Sequence, residues 1–486
     1  MRNGELRIVR QDTIITPDKS RVLLRSFNPG STARTKTILE RVMRISEEDA
    51  KRILAGVIGE FQNRHRGIET VFSQRFNELT PYLPRKYNPS QTMKLLIGSY
   101  FTCEYSLEAA ALFNPSIVPH PDQSGIPDGS VRFVLSLRST GEGHISSIEF
   151  RTGVIGVEGK VVLDVPNRYV SMPAPDNDPA YAKAEFAAQI QDEKHLNPVT
   201  KKILSSLKDS FRRSELLSSA SKIEKSFRKL SEAQRDSISF VRSFAELNYQ
   251  MSFPRAQGLS ERVIFPLSSF ESNGIEDARF VRFVDDDGKI TYYATYTAYN
   301  GRSIMPLLLS TGDFTRFRVS SMSGDAAKNK GMALFPRKID GKYIMISRHD
   351  GENLYFVKSE TIYSWRKPIK LLTPTYSWEF TQIGNCGSPI ETKEGWLLLT
   401  HGVGPVRKYC IGAILLDLKN PSKMLGQLKE PLIAPDETER EGYVPNVVYT
   451  CGAIAHNGNL IIPYAMSDQS SRFVSVSIER LLGAMK

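Results

Sequence analysis

Asp287-Gly288-Lys289-Ile290-Thr291-Tyr292-Tyr293-Ala294-Thr295-Tyr296-Thr297-Ala298-Tyr299 is the stretch from which the fold can be read. An Asp-Gly pair, a hairpin-type turn signal, opens it. A run of aromatic and β-branched residues follows, which is the composition of a strand. Polar side chains, Thr297 and Tyr299, lie at its end. Four further segments share the pattern: Asp128-Gly129 to Arg138, Asp340-Gly341 to His349, Glu394-Gly395 to His401, and Asn457-Gly458 to Asp468. Self-similarity at about 50–60 residues, with several strands per unit, is the signature of a propeller. The expected fold is mainly β, a five-bladed β-propeller. A six-bladed ring or a sandwich is the alternative.

The gap between the first and second units is longer than the others, and a helical segment fills it. Residues 181–250 contain no Gly and one Pro, Pro198, and carry 13 Lys/Arg against 9 Asp/Glu. Ile203, Leu207, Phe211, Leu216 and Leu217 recur roughly at helical spacing. Two or three helices are expected, broken near Pro198. Nearer the N-terminus, Ser46-Glu47-Glu48-Asp49 reads as a helix cap with an acidic first turn. Ile53, Leu54, Val57, Ile58 and Phe61 continue it at helical spacing. The expected organisation is a partly helical N-terminal extension over 1–95, a first blade region over 96–175, a helical insertion over 176–254, and the remaining blades over 255–486.

Composition narrows the function less than the pattern does. The chain has 486 residues with 40% hydrophobic and 24% charged side chains, which fits a folded chain rather than a disordered one. Its net charge of +11 allows an anionic partner without selecting one. The helical segment intersperses both signs and has no stacking-aromatic-plus-basic motif, so no nucleic-acid partner is expected. No apolar run is long enough to span a bilayer, so no membrane partner is expected. The start of the chain has no apolar signal segment. Cys103, Cys386, Cys410 and Cys451 are widely spaced and lack CxxC, which favours the cytoplasm. The seven His residues lack ligand spacing, so no metal is expected. Neither GxxxxGK[ST] nor GxGxxG occurs. The helical segments are expected to serve oligomer contacts or to cover the mouth of the site.

If the five units are equivalent, their polar ends converge on one mouth: Arg138, Thr297 with Tyr299, Arg348 with His349, His401 and Asp468. Such a funnel suits a small polyol. The plainer alternative is that each polar residue simply ends its strand. Gly274-Ile275-Glu276-Asp277-Ala278-Arg279-Phe280 adds two adjacent carboxylates. Neighbours on an extended strand face opposite sides, so one of the two is expected to serve the site and the other the scaffold. A carboxyl at a pocket mouth can act as general acid in glycosidic cleavage. Lys330, entering Gly331-Met332-Ala333-Leu334-Phe335-Pro336, could join Arg302, Arg348, His349, His401 and Arg407 in a cationic cradle for phosphate.

These motifs carry a resemblance. Phe113-Asn114-Pro115, Arg138, Ile275 to Arg279, Lys330 to Pro336, Ile339 to Tyr343, Gly395 to Gly402, Ile411 to Asp417, Asn420 to Ser422, Val444 to Tyr449 and Tyr464 to Asp468 run in an order similar to glycoside hydrolase family 130. The likeness covers about 100–170 and 255–486. It implies a five-bladed propeller acting as a β-mannoside phosphorylase or an inverting β-mannosidase. It implies that Asp277 is the general acid, with its proton passing through a sugar hydroxyl. It implies sugar binding by Asn114, Arg138 and Asp468, and Glu276, Tyr299 and Asn446 complete the expected sugar-binding set. Lys330 matches a basic position of the family, and Arg348, His349 and His401 match positions near its phosphate or sugar; with Arg302, taken from the charge pattern, they make up the expected phosphate-binding set. The chain departs from the family pattern at Ala278, where the family has Pro, and at Gly384-Asn385-Cys386-Gly387-Ser388-Pro389.

Phosphorolysis needs cations to hold a dianion and no protein base. Hydrolysis needs a second carboxylate to activate water. The cations favour phosphorolysis, with an oligosaccharide and inorganic phosphate as substrates and no other cofactor. Glu391, Glu439 and Glu441 are the bases that hydrolysis would call on. A non-catalytic carbohydrate-binding propeller is the third reading.

Overall fold

The computed structural model of the chain describes residues 6–176 and 178–485. It is mainly β. Five antiparallel sheets of four to six strands carry the molecule, with two two-stranded ribbons beside them. Each of the five turn-plus-strand units supplies the strand next to one edge of a different sheet. The edge strands themselves are Ala111–Pro119, Ile275–Val284, Ala333–Leu334, Gln382–Asn385 and Val448–Tyr449. Strand Trp396–Val403 is buried along its whole length. A strand covered on both faces reads as a continuous apolar run rather than an alternating one. That is why the repeats were visible as blocks and not by period.

The N-terminal end of the chain closes the fifth sheet. Val9–Ile15 pairs antiparallel with Ser470–Ser477. Arg10 anchors it, donating from Nε to Glu439 at 3.0 Å. Residues 9–15 fall in the segment expected as an extension, but they are strand in a main sheet.

Helices occupy two stretches. Thr32–Met43, Glu47–Phe61, Ile68–Leu79 and Gln91–Tyr100 share a core built on Leu54, Phe72, Phe76 and Leu96. Ser46 caps the second of them by accepting from the Asp49 N–H at 3.1 Å. The second stretch holds Lys183–Asp192, Pro198–Ser205, Arg213–Ser226 and Glu232–Glu246. The break expected near Pro198 lies between Asp192 and Pro198, and Pro198 itself starts the next helix. It sits at the first helical position, where its missing N–H costs nothing, behind an Asn197 capping box. Phe186, Ile190, Phe211 and Phe244 pack with Phe280, Leu307 and Phe317 of the second sheet in one core. Each such buried side chain contributes roughly 1.5–3 kcal/mol. Among the described residues no helix is long and apolar enough to cross a membrane.

Candidate active site

A cavity of about 370 Å³ is lined by residues that lie on, or in loops flanking, all five sheets. Asn114, Arg138, Glu276, Asp277, Lys330, Arg348, His401, Tyr449 and Asp468 line its wall. Two bulges shape the floor. In Ile275–Val284 the pairing jumps from Glu276↔Thr297 to Arg279↔Thr295, so Asp277 and Ala278 oppose one partner residue. In Ala111–Pro119 it jumps from Phe113↔Arg138 to Ser116↔Ser136. The first residue of each bulge is left-handed, Asp277 at φ 55 and Asn114 at φ 49. Asp and Asn tolerate that region better than most side chains. The Asp277 bulge overturns the expectation that its side chain and that of Glu276 face apart. The turn in the backbone brings both into the cavity, and Arg138 bridges them.

The bridge is specific. Arg138 Nη2 donates to Glu276 Oε1 at 2.8 Å, and Nη1 lies 3.4 Å from Asp277 Oδ1. Asn114 Nδ2 donates to the same Oδ1 at 2.7 Å. Lys330 Nζ holds the other oxygen of Glu276 at 2.5 Å. Arg279 turns back to the Asp277 carbonyl at 3.0 Å and donates to the Tyr449 hydroxyl at 2.6 Å. Burial pushes the Asp277 carboxyl up, but Arg138, Arg279, Lys330 and the Asn114 amide outweigh it and hold it below the usual range. Asp468 goes the other way. Burial, then the negative charge of Asp277, push it up to about 6 against Arg138 and Arg407. His401 is buried beside Arg348 and Arg279, and burial and those charges drive its proton affinity far down. It is therefore a neutral imidazole at neutral pH, not a cation. Gly384 makes room for it: a Cβ there would come 2.2 Å from His401 Cε1.

The site carries unspent hydrogen-bonding capacity. Nε and Nη1 of Arg348, both amide atoms of Asn385, and Oδ1 of Asn114 are buried with no partner among the described residues. Unpartnered buried polar atoms are uncommon and costly, so a cluster of them at a cavity wall marks a place built for a polar guest.

A family model described as beta-1,4-mannooligosaccharide phosphorylase matches residues 227–486, just over half of the chain. The chain belongs to glycoside hydrolase family 130. Its relatives include a 1,2-β-oligomannan phosphorylase from a Thermoanaerobacter species, 35% identical over 204 residues, which are 41% of this chain and 66% of the relative. A β-1,2-mannobiose phosphorylase from Listeria innocua is 30% identical over 226 residues, 45% of this chain and 62% of the relative. The matched stretches thus span just under two thirds of these curated relatives. The solved structure of a Listeria innocua β-1,2-mannobiose phosphorylase with β-1,2-mannobiose aligns at 21% identity and a TM-score of 0.47. That alignment covers 78% of this chain and 93% of that one.

Against the family-130 expectation, the cavity gathers Asp277, Asn114, Arg138, Glu276, Asp468, Lys330, Arg348 and His401. Four expected residues stay outside its lining. Arg302 sits in an exposed turn, where Asn300 Oδ1 accepts its backbone N–H at 3.0 Å. His349 packs on the Tyr355 ring, centroids 4.2 Å apart, behind Arg348. Tyr299 ends a strand away from that lining, paired with Ile304. Asn446 uses its Oδ1 to accept from Arg440 Nε at 3.2 Å. The three possible bases are elsewhere as well. Glu391 pairs with Arg337 on the surface, Glu439 is buried against Arg10 and the Tyr464 hydroxyl, and Glu441 is exposed. Reading by strand ends missed His144, Gln382, Tyr409 and Tyr443, which do line the cavity. Tyr409 opens a strand rather than ending one, and His144 and Tyr443 lie on turns, so the repeat gave no reason to look there.

Proposed function

We propose that this chain is a β-mannoside phosphorylase of the β-1,2-acting kind, built as a five-bladed propeller whose blades are the five sheets. The activities of the relatives named above support the substrate class. The observation that carries the mechanism is that one cavity holds both Asp277, on its bulge, and Arg348, a cation with unspent donors. Arg348 and Lys330 bind phosphate, with neutral His401 as a hydrogen-bonding partner. A phosphate oxygen attacks the anomeric carbon from the face opposite the leaving group. The C–O glycosidic bond breaks, and the leaving oxygen takes a proton originating at Asp277 through a sugar hydroxyl. The products are mannose 1-phosphate of inverted configuration and a shortened mannoside.

Asp277 holds its proton weakly while the site is open, because three cations surround it. Phosphate entering beside Lys330 and Arg348 offsets part of that field, and sugar covering the carboxyl strengthens its burial. Both changes raise its proton affinity when a proton is needed. Hydrolysis would need a carboxylate to activate water, and Glu391, Glu439 and Glu441 lie outside the cavity lining. Among the described residues Glu276 and Asp468 are the other lining carboxylates; Glu276 is held by Arg138 and Lys330, which leaves Asp468 for that role. The test is product analysis of β-1,2-mannobiose with and without inorganic phosphate. Mannose 1-phosphate formed in the presence of phosphate, with no free-mannose release in its absence, supports the reading. Free mannose at one rate in both conditions overturns it in favour of hydrolysis.

A further inference from the structure

His144 and Tyr443 meet across the rim of the cavity. The Tyr443 hydroxyl and His144 Nδ1 are 2.8 Å apart, and the two rings lie 5.8 Å apart at 34°. The two residues are 299 positions apart in the chain. His144 sits on the hairpin turn between Val131–Thr140 and Ser146–Ile155, in the left-handed region at φ 61. That hairpin also carries Arg138. Tyr443 sits on the loop before Val448–Tyr449, beside Asp468. Gly442 seats this loop against the Asp468 turn: a Cβ on it would come 2.6 Å from the Ser467 carbonyl. The Val444 N–H donates to that same carbonyl at 3.0 Å. Each half of the clasp is therefore tied to a residue whose charge acts on Asp277, Arg138 on one side and Asp468 on the other.

Depth separates the two ends of the cavity. Asn114 and Glu276 on the floor are buried, whereas Tyr443 is 48% exposed. The sugar that reacts must reach Asp277 on the floor, so the rest of a mannoside chain leaves past the rim. We infer that the His144–Tyr443 clasp is the platform for the leaving-group sugar, and that it sets which acceptor the enzyme takes. The inference rests on the mannoside reading above. A flat, amphipathic ring pair offers an apolar face to a sugar ring and polar tips to its hydroxyls, and rigid aromatic side chains lose little entropy in doing so. The hydrogen bond that makes the clasp uses none of the residues proposed to hold phosphate, so the clasp is assigned to the acceptor and not to phosphate.

Calorimetric titration of wild type, Tyr443→Ala and His144→Ala with β-1,2-mannobiose and, separately, with mannose 1-phosphate tests this. Tyr443→Ala is expected to weaken mannobiose about tenfold, the size of a lost aromatic anchor. Mannose 1-phosphate affinity should stay within about twofold of wild type. Tyr443→Phe, which keeps the ring, should recover most of the loss and guards against a folding artefact. A mannobiose affinity unchanged in both alanine variants overturns the clasp while leaving the mannoside reading intact. Equal weakening of both ligands also overturns it, because it would report a general structural role. Wild type that binds neither ligand overturns the mannoside reading, and the clasp with it.

Discussion

Two clusters in this molecule combine the same ingredients, two carboxylates and two cations, and differ in what they can do. Glu108, Glu149, Arg21 and Arg151 form one, Glu276, Asp277, Arg138 and Lys330 the other. In the first, Arg21 donates to Glu149 at 2.7 Å and Arg151 to Glu108 at 2.6 Å, and every member is nearly fully buried. Arg21 spends its remaining donors on the carbonyls of Asn167 and Ser260. It staples the N-terminal segment to the first sheet and opens on no cavity among the described residues. In the second, the carboxylates sit on or beside a bulge, face a cavity of about 370 Å³, and share its wall with the unspent donors of Arg348. Composition does not tell a staple from a site. Backbone geometry and access to a cavity do.

The sharpest way to break the comparison is to remove one partner from the staple. Arg21→Leu leaves two buried carboxylates facing a single arginine, and should cost about 3–5 kcal/mol of stability. Denaturant unfolding measures it, and mannobiose affinity of the folded fraction should not change. The reverse holds in the site. Arg348→Met removes donors with no partner, so stability should change by less than about 1 kcal/mol or rise. The KM for phosphate should rise by about 10²-fold, the scale of a lost charge-assisted contact. An Arg348→Met variant that loses several kcal/mol of stability while its folded fraction keeps the wild-type KM for phosphate would reverse the assignment of the two clusters.

Much of this contrast could not be seen in the sequence. The five turn-plus-strand units each landed in a separate sheet, because Asp-Gly, Glu-Gly and Asn-Gly turns and β-branched runs are local signals. Asp277, Arg138 and Lys330 were legible through the order of motifs. The left-handed bulge was not. Nothing local in Ile275-Glu276-Asp277-Ala278 forces φ 55 at Asp277; the register with Thr295 and Thr297 does, and pairing partners are non-local. Arg302 and His349 were expected at the phosphate for their charge, but a turn and a ring contact with Tyr355 hold them away. The staple went unremarked because Arg21, Glu108, Glu149 and Arg151 are far apart in the chain.

Two smaller effects sharpen the comparison through pH. In the staple, burial and the neighbouring Glu149 push Glu108 up. The native state then keeps a proton that the unfolded chain releases, so stability falls as pH rises from the ordinary carboxylate range towards neutrality. Glu108→Gln should flatten that fall in a series of unfolding curves. In the site, Asp468 at about 6 is ionised above that pH and then accepts sugar hydroxyls better. Mannobiose affinity should tighten by a few-fold as pH rises through about 6, and Asp468→Asn should remove the dependence.

The most direct measurement is the phosphate-dependent formation of mannose 1-phosphate from β-1,2-mannobiose by wild type and Asp277→Asn, alongside mannobiose affinity for both. A general acid contributes typically 10²–10⁴-fold, so the rate should fall by about 10³-fold while affinity stays within a few-fold of wild type. A variant that keeps a tenth or more of the rate would contradict the account, because the carboxyl on the bulge would then not be the source of the proton.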